Sequence, residues 1–414
     1  MTRSIVYTCL AFFLCFPLLP AKLNAESLSP AWVELGEGGR SIARIVVSDA
    51  KECPSIQVDG RGRTMSLRQP VPDGLRPACE FAIPLNAKSV SINGQTLTLP
   101  KSNPSKVIAL GDTGCRIKDT HVQGCNNPDQ WPFQLVATRA AAEKPDLVIH
   151  VGDYLYREIP CPSGSEALCG GTPSGDNWET WNADFFKPPA KLLAAAPWAF
   201  SRGNHEDCNR AWRGWFYYLD PRAWHPVCES YSAPYVITLG KLQLAMLDSS
   251  AVVEDKLDDV QVHRYVEQFK SLHVKNAWLV DHHPFWGFKQ SAGSGAPTLV
   301  SLPLEAAWDE HPPEGIDMVL SGHVHLFELL SFDHGRPTQL VAGTGGTDLA
   351  MSIEKSVNGT LVHGATVITS GSQSQFGYTL LSRNGARWNL SLKSRSGEVL
   401  FSCALPIAGP VRSK

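Results

Sequence analysis

Residues 147–156 of this 414-residue chain read LVIHVGDYLY, an apolar run that ends abruptly in glycine, aspartate and tyrosine. The first five residues are typical of a buried β-strand, because aliphatic and β-branched side chains suit a strand that is covered on both faces. A glycine followed by an aspartate is ordinary turn chemistry. Taken alone, this stretch predicts only a strand and the place where it ends.

The same pattern occurs four more times between residues 107 and 325. In an open α/β sheet, ligands bind at the carboxyl ends of the parallel strands, so five such loops can converge on one site. One of the loops, GNHE at residues 203–206, is a four-residue string that is rare by chance in a chain of this length. The loops supply seven candidate metal ligands, which are Asp112, Asp153, Tyr156, Asn204, His282, His323 and His325.

The chemistry of these donors indicates the kind of metal. Carboxylate, phenolate, amide oxygen and imidazole are hard to borderline donors, which suit iron, zinc or manganese and argue against a thiolate site. Seven ligands are more than one ion needs, and a carboxylate has two oxygens that can bridge two cations. The set therefore favours two metal ions, roughly 3.5 to 4 Å apart.

The order of these motifs resembles that of the calcineurin-like metallophosphoesterases, and the tyrosine at residue 156 is similar to that of the purple acid phosphatase branch. The resemblance covers residues 106 to about 350. It implies an acid phosphatase-like hydrolase in which a metal-bound hydroxide attacks the phosphorus of a small phosphomonoester. It further implies that Asp112, Tyr156 and His325 hold ferric iron, that Asn204, His282 and His323 hold a divalent ion (zinc, iron or manganese), and that Asp153 bridges the two.

The resemblance also implies a catalytic role for His205, which would orient the ester or protonate the leaving oxygen, with Asn204 and His205 contacting the substrate. Two neighbouring histidines are candidates for one of the metal ligands. The spacing Val-x-x-His from Val280 selects His283, whereas the pattern His-x-Pro selects His282, and we assign His282 as the ligand.

Two other functions remain open at this point. Phosphodiesterases of the PhoD type also contain a Gly-Asp-x-x-Tyr loop, so the same scaffold is compatible with diester hydrolysis. A secreted binding protein that keeps the fold and the metals without turnover is the second alternative. The intact bridging Asp153 argues against it.

The pattern of the whole chain predicts two domains. Short strand-like runs separated by turns in residues 31–99 indicate a small all-β domain, which the family resemblance suggests is fibronectin-like. A polar stretch that contains proline, residues 101–105, is the predicted linker, and we assign domain and linker together to residues 26–104. Residues 105–414 have the α/β pattern of a layered β-sandwich core flanked by helices, the metallophosphoesterase catalytic domain. Apolar residues at helical spacing predict a core-facing helix over residues 257–274.

Residues 1–25 have a basic start, an apolar stretch and a small residue at a candidate cleavage site, which predicts a signal peptide and a secreted or periplasmic protein. No stable membrane insertion is expected, because no other stretch approaches 18 uninterrupted apolar residues. The formal net charge of −3 disfavours bulk attraction to nucleic acid. The expected partner is a small phosphoester, and the sequence leaves the oligomeric state open.

Nine cysteines remain after residue 25, and in an oxidising compartment they indicate disulfides before they indicate zinc. Connectivity does not follow from sequence. The simplest hypothesis pairs neighbours and leaves Cys403 free: Cys53 with Cys79, Cys115 with Cys125, Cys161 with Cys169, and Cys208 with Cys228.

Overall fold

The structure is a computed structural model that describes residues 30–50, 53–290, 297–353, 356–385, 387–406 and 412–413. The signal peptide predicted at residues 1–25 lies outside these ranges and stays a prediction. None of the helices in the described ranges is long and apolar enough to span a bilayer.

Two large β-sheets form the centre of the molecule, with one smaller sheet and two short hairpins beside them. The strands are β1 (Ala31–Leu35), β2 (Ser41–Val46), β3 (Ser55–Val58), β4 (Arg61–Thr64), β5 (Ser66–Leu67), β6 (Ala78–Ile83), β7 (Val90–Ile92), β8 (Gln95–Leu97), β9 (Lys106–Leu110), β10 (Ile117–Lys118), β11 (His121–Val122), β12 (Leu147–His150), β13 (Trp198–Phe200), β14 (Tyr235–Leu239), β15 (Leu242–Met246), β16 (Ala277–Val280), β17 (Phe288–Lys289), β18 (Thr298–Leu299), β19 (Ile316–Ser321), β20 (Phe327–Phe332), β21 (Thr338–Ala342), β22 (Leu361–Val362), β23 (Ala365–Gln373), β24 (Gly377–Asn384), β25 (Arg387–Ser394), β26 (Val399–Pro406) and β27 (Arg412–Ser413).

Along the chain, the α-helices of the described ranges lie between strands of the two large sheets. They are α1 (Phe133–Ala142), α2 (Glu166–Cys169), α3 (Trp178–Trp181), α4 (Ala190–Ala195), α5 (Trp212–Tyr218), α6 (Asp259–Ser271) and α7 (Leu302–Glu310).

The strand order places the chemistry-bearing loops at one edge. The first sheet runs β27-β26-β25-β24-β9-β12-β13-β1-β2-β6-β5, and the second runs β14-β15-β16-β19-β21-β20-β23-β22. Strands β9, β12 and β13 are parallel neighbours, as are β15, β16, β19 and β21. Because parallel strands end at the same edge of a sheet, their following loops are brought together.

Apolar layers join the two sheets and their helices. Leu147 and Ile149 of β12 belong to the same apolar cluster between the sheets as Val280 of β16. Helices α1 and α4 pack on the outer face of the first sheet, and α6 and α7 pack on the outer face of the second. The expected fold class, a layered α/β core with an all-β N-terminal part, is confirmed.

The N-terminal region is joined to the core through the first sheet. Strand β1 pairs in parallel with β13, where Glu34 lies opposite Trp198. Strands β3, β4, β7 and β8 form a separate four-stranded sheet that packs on β1, β2 and β6 as a small β-sandwich. The first sheet is therefore continuous across the predicted linker, and the division at residue 105 stays a prediction.

Helix α6 is shorter than the helix predicted over residues 257–274. It starts at Asp259, because the side chain of Asp258 accepts hydrogen bonds from the backbone N–H groups of Val260 and Gln261 and so caps the helix. It ends at Ser271, since Leu272 adopts an extended conformation. His273, which the predicted range includes, lies beyond the helix.

The structure contains the four disulfides of the neighbour-pairing hypothesis, and Cys403 is free and buried. Cys53–Cys79 links the four-stranded sheet region to β6. The cysteine pair at residues 208 and 228 closes a loop just after the GNHE motif. Closing a loop of this length stabilises a fold by roughly 3 kcal/mol in the chain-entropy model.

Candidate metal centre

Five loops after parallel strands converge at one edge of the two sheets. Asp112 follows β9, Asp153 follows β12 and Asn204 follows β13 in the first sheet; His282 follows β16 and His323 follows β19 in the second. Asp112, Asp153 and His323 have positive φ angles of 56°, 61° and 68°. A non-glycine residue in this left-handed region is strained, and such strain is concentrated at functional sites.

Two glycines let the loops approach closely. A Cβ atom on Gly203 would lie 2.1 Å from an Asp153 carboxylate oxygen, and one on Gly152 would lie 2.4 Å from Nδ1 of His282. Gly152 also has a φ of 101°, which L side chains rarely adopt. The glycines of the two loop motifs are thus required by the packing of the loops around the polar side chains.

Tyr156 lies at the centre of one group of predicted ligands. Its hydroxyl oxygen is 2.7 Å from Oδ2 of Asp153, 3.1 Å from Oδ1 of Asp112 and 3.0 Å from Nε2 of His325. Nδ1 of His325 lies 2.8 Å from the carbonyl oxygen of Asp348, so Nδ1 donates and Nε2 faces the group with its lone pair. This group contains the ligands that the family resemblance assigns to ferric iron.

A second group shares Asp153 with the first. Nε2 of His282 lies 2.9 Å from Oδ1 of Asn204 and 3.3 Å from Oδ2 of Asp153, and Nδ1 of His323 lies 3.1 Å from the same Asn204 oxygen. Nδ1 of His282 contacts the carbonyl oxygen of Val151 at 2.8 Å, which leaves Nε2 as the inward atom. All seven predicted ligands are therefore brought together, in two groups that meet at Asp153.

The structure places His282 in this cluster and His283 beside it. The ring of His283 packs on that of His323 with the ring centroids 4.2 Å apart, and its buried Nδ1 has no hydrogen-bond partner. The His-x-Pro pattern thus selects the histidine that contacts Asn204 and Asp153.

The pKa shifts of the buried cluster favour the binding of a cation. Burial raises the pKa of Asp112 to about 7, with a further rise from the neighbouring Asp153 carboxylate. Burial acts the same way on Asp153, but the positive charges of His282 and His205 lower its pKa well below the usual range. Burial opposes protonation of His282, yet Asp153 raises the pKa of His282 to about 10.

Protonated His282 therefore partly neutralises the two carboxylates when no metal is bound. In the described part of the chain, no lysine or arginine forms an ion pair with Asp112 or Asp153. Metal ligation requires a deprotonated imidazole, so a bound cation replaces that proton. The residues fit a metal pair, by donor type and by this missing positive charge.

His205, the predicted catalytic residue, lies against the shared carboxylate without belonging to either ligand group. Its backbone N–H donates to Oδ1 of Asp153 at 2.9 Å, and its Nε2 lies 3.8 Å from Oδ2. Its Nδ1 is 2.7 Å from Oε1 of Glu158, and its ring packs on that of Tyr156 at a tilt of 35°. The ring nitrogen nearest the metal cluster is thus Nε2, and the opposite nitrogen lies at ion-pair distance from Glu158 without hydrogen-bond geometry.

Four acidic and basic residues at the site are not found by the sequence analysis: Glu158, Glu206, Arg210 and Glu254. Glu206 is buried and accepts hydrogen bonds from the backbone N–H groups of residues 153, 154, 155 and 203, which holds the Asp153 loop against the Asn204 loop. The GNHE string carried a signal for this residue. Glu158 and Arg210 lie further along the Asp153 and Asn204 loops, and Glu254 lies in the loop after β15, at positions that no motif marks.

An open cleft of about 450 Å³ leads to the second ligand group. Its lining includes Asn204, His283 and His323 together with Arg210 and Glu254. Nη1 of Arg210 is 3.3 Å from the carbonyl oxygen of Asn204 and 3.6 Å from Oε1 of Glu158. The positively charged guanidinium of Arg210 therefore lines the cleft close to Glu158, which lies beside His205, and to Asn204, a predicted metal ligand.

Comparison with known proteins identifies the fold and the family. Residues 105–327 match the family profile described as calcineurin-like phosphoesterase. A purple acid phosphatase from yellow lupin (Lupinus luteus) seeds superposes with a TM-score of 0.57 at 14% sequence identity, over 92% of this chain and 74% of the lupin chain. A structure of PhoD superposes with a TM-score of 0.52 at 11% identity, over 94% and 92% of the two chains. No curated protein matches the chain by sequence.

Proposed function

Because the chain belongs to the calcineurin-like phosphoesterase family, we propose that it hydrolyses small phosphomonoesters at a pair of metal ions, as purple acid phosphatases do. The observation that carries this proposal is the arrangement of seven donor side chains in two groups that share Asp153. Asp112, Tyr156 and His325 would hold one ion, and Asn204, His282 and His323 the other. When bound, the metal pair supplies positive charge for the phosphoryl oxygens and activates water.

The protein residues position the ester and move one proton. His205 is set against Asp153 by its backbone, and its ring packs between Tyr156 and the carboxylate of Glu158. Nε2 of His205 then faces the metal cluster, where it can hold a proton for the leaving oxygen. General acid catalysis of this kind contributes about 10²- to 10⁴-fold to turnover.

The guanidinium of Arg210 in the cleft supports a monoester as the substrate. A phosphomonoester carries close to two negative charges at neutral pH, because its second pKa is about 6. A diester carries only one negative charge. The side chain of Arg210 lines the cleft and is 26% exposed. Its Nη1 already contacts Asn204 and Glu158, which positions the guanidinium group. Guanidinium groups bind phosphate oxygens with charge-assisted hydrogen bonds.

We predict that Arg210→Gln raises KM for p-nitrophenyl phosphate by about 10-fold and leaves kcat nearly unchanged, because it removes one charged hydrogen bond of about 1.5 kcal/mol made in both ground and transition states. Initial rates on p-nitrophenyl phosphate and on bis-p-nitrophenyl phosphate measure this. Arg139→Gln, an exposed arginine on α1, is the matched control for net charge. Wild-type protein that prefers the diester would contradict monoester specificity and favour the diesterase alternative.

Tyr156 supports ferric iron as one of the two ions. Burial, followed by the charges of Asp153 and Asp112, raises the pKa of Tyr156 well above that of free tyrosine. An ion of high charge is therefore needed to displace the phenolic proton, and a hard phenolate prefers such an ion. We propose Fe(III) at this position, with a divalent ion (zinc, iron or manganese) at the other.

Tyr156→Phe is expected to abolish a visible phenolate-to-iron absorption band and to lower the iron content without unfolding the chain. Tyr154→Phe is the matched control, because the Tyr154 hydroxyl donates to the carbonyl oxygen of Ser201 and makes no contact with the predicted ligands. Absorption spectra and elemental analysis of both variants test the role. A colourless, fully active wild type that contains only zinc would refute the iron assignment.

We further propose that the protein is secreted or periplasmic. Four disulfides support an oxidising compartment, where such bonds form and persist. The predicted signal peptide is consistent with export. N-terminal sequencing of the protein recovered outside the cytoplasm tests both, and a mature chain that starts at residue 1 would contradict the predicted cleavage.

A further inference from the structure

Glu254 contacts the side of His323 that faces away from the metal cluster. Oε2 of Glu254 lies 2.8 Å from Nε2 of His323, while Nδ1 of the same ring lies 3.1 Å from Oδ1 of Asn204. A neutral imidazole has one N–H group and one lone pair. A carboxylate can only accept, so this contact places the proton on Nε2 and the lone pair on Nδ1.

Glu254 is itself held in place from two directions. Nζ of Lys289 contacts the other carboxylate oxygen, Oε1, at 2.8 Å, and the backbone N–H of Leu302 donates to the Glu254 carbonyl oxygen at 2.9 Å. Lys289 lies in strand β17 and Leu302 opens helix α7, so two separate elements fix this loop. The carboxylate therefore has both of its oxygens engaged and one fixed direction toward His323.

We propose that Glu254 is a positioning residue that holds the Nε2–H tautomer of His323 and thereby presents Nδ1 to the divalent metal ion. This inference rests on the metal pair of the proposed function. Carboxylate partners of metal-binding histidines fix ring orientation and raise ligand basicity, and their loss typically lowers metal affinity by about 10- to 100-fold. Lys289 in turn keeps Glu254 from rotating away.

A competing arrangement uses the same atoms differently. Glu254, His283 and His323 lie close enough together to hold an ion of their own, and Nδ1 of His283 is buried without a hydrogen-bond partner. That ion would need a lone pair on Nε2 of His323, while Nδ1 serves the metal pair. A neutral imidazole cannot supply both lone pairs, so the positioning role is favoured.

Metal titration of the metal-free full-length protein distinguishes the two. We expect two zinc ions per chain in the wild type, followed by calorimetry, and an affinity for one of them that falls about 10- to 100-fold in Glu254→Ala. Glu254→Gln keeps the reach and an accepting oxygen, so it should retain most of the affinity. Glu254→Asp keeps the charge but is one methylene shorter, so it should resemble Glu254→Ala. Asp255→Asn, at the adjacent cleft residue, should bind zinc as the wild type does.

Three ions in the wild type and two in Glu254→Ala would overturn the inference, because Glu254 would then be a ligand. Full affinity in Glu254→Asp with loss in Glu254→Gln would also overturn it, since charge and not the hydrogen bond would be the cause. Equal affinity in all variants would do the same. A wild type that binds two ions with these variant effects but hydrolyses no phosphoester would contradict the proposed function alone.

Discussion

Asp153→Asn is expected to lower turnover on p-nitrophenyl phosphate by more than about 10³-fold, beyond the 10- to 100-fold loss typical of residues that only support a ligand. The Asp153 carboxylate contacts side chains of both ligand sets, the Tyr156 hydroxyl at 2.7 Å and His282 Nε2 at 3.3 Å. An amide has one accepting oxygen and no charge, so it cannot join two cations in the same way. Elemental analysis should show that both metals are depleted.

The stability of Asp153→Asn separates a lost site from a lost fold. Burial raises the pKa of Asp153, but the charges of His282 and His205 outweigh burial, hold that pKa well below its usual range and stabilise the carboxylate in the metal-free protein. Removing the charge of Asp153 should therefore lower the melting temperature of metal-free protein at neutral pH, while a single cooperative transition remains. Asp73→Asn makes the same chemical change at an exposed residue between β5 and β6 and should keep full activity and metal content. Wild-type metal content in Asp153→Asn would contradict the bridging role.

His205→Ala is expected to reduce turnover by about 10²- to 10⁴-fold while both metal ions stay bound. The ring contacts Glu158 and the edge of Asp153 and lies outside both ligand groups, which is why the metals should remain. The loss should be larger with phenyl phosphate than with p-nitrophenyl phosphate, because p-nitrophenolate leaves without needing a proton.

The ratio of the two losses identifies the role of His205. Equal losses with the two esters would indicate that His205 orients the substrate and does not protonate the leaving oxygen. A fall in metal content would make His205 a ligand and contradict the assignment. His225→Ala, an exposed histidine that contacts Glu229, is the matched control.

The sequence predicts the loops that carry the candidate metal ligands better than it predicts the residues that position those ligands. Asp112, Asp153 and Asn204 each follow an apolar strand and a glycine, so pattern and strand geometry place them at one edge. Glu254 has no such signal. It reaches His323 across 69 residues of chain, and only the packing of the second sheet against helix α7 shows that they meet.

Local sequence patterns also fail to predict how the N-terminal region joins the core. Turn signals in residues 31–99 predict short strands, and the structure has them. The parallel pairing of β1 with β13 joins segments more than 160 residues apart, at Glu34 and Trp198. Local patterns carry no information about a partner so distant, so the continuous eleven-stranded sheet could not be predicted.

The measurement that most directly tests the central claim is phosphatase activity before and after metal removal. We expect the purified protein to contain two metal ions per chain. A chelator should abolish hydrolysis of p-nitrophenyl phosphate without unfolding the chain. Adding iron and a divalent ion should restore this hydrolysis. Unchanged hydrolysis by protein shown to be free of metal would contradict the account.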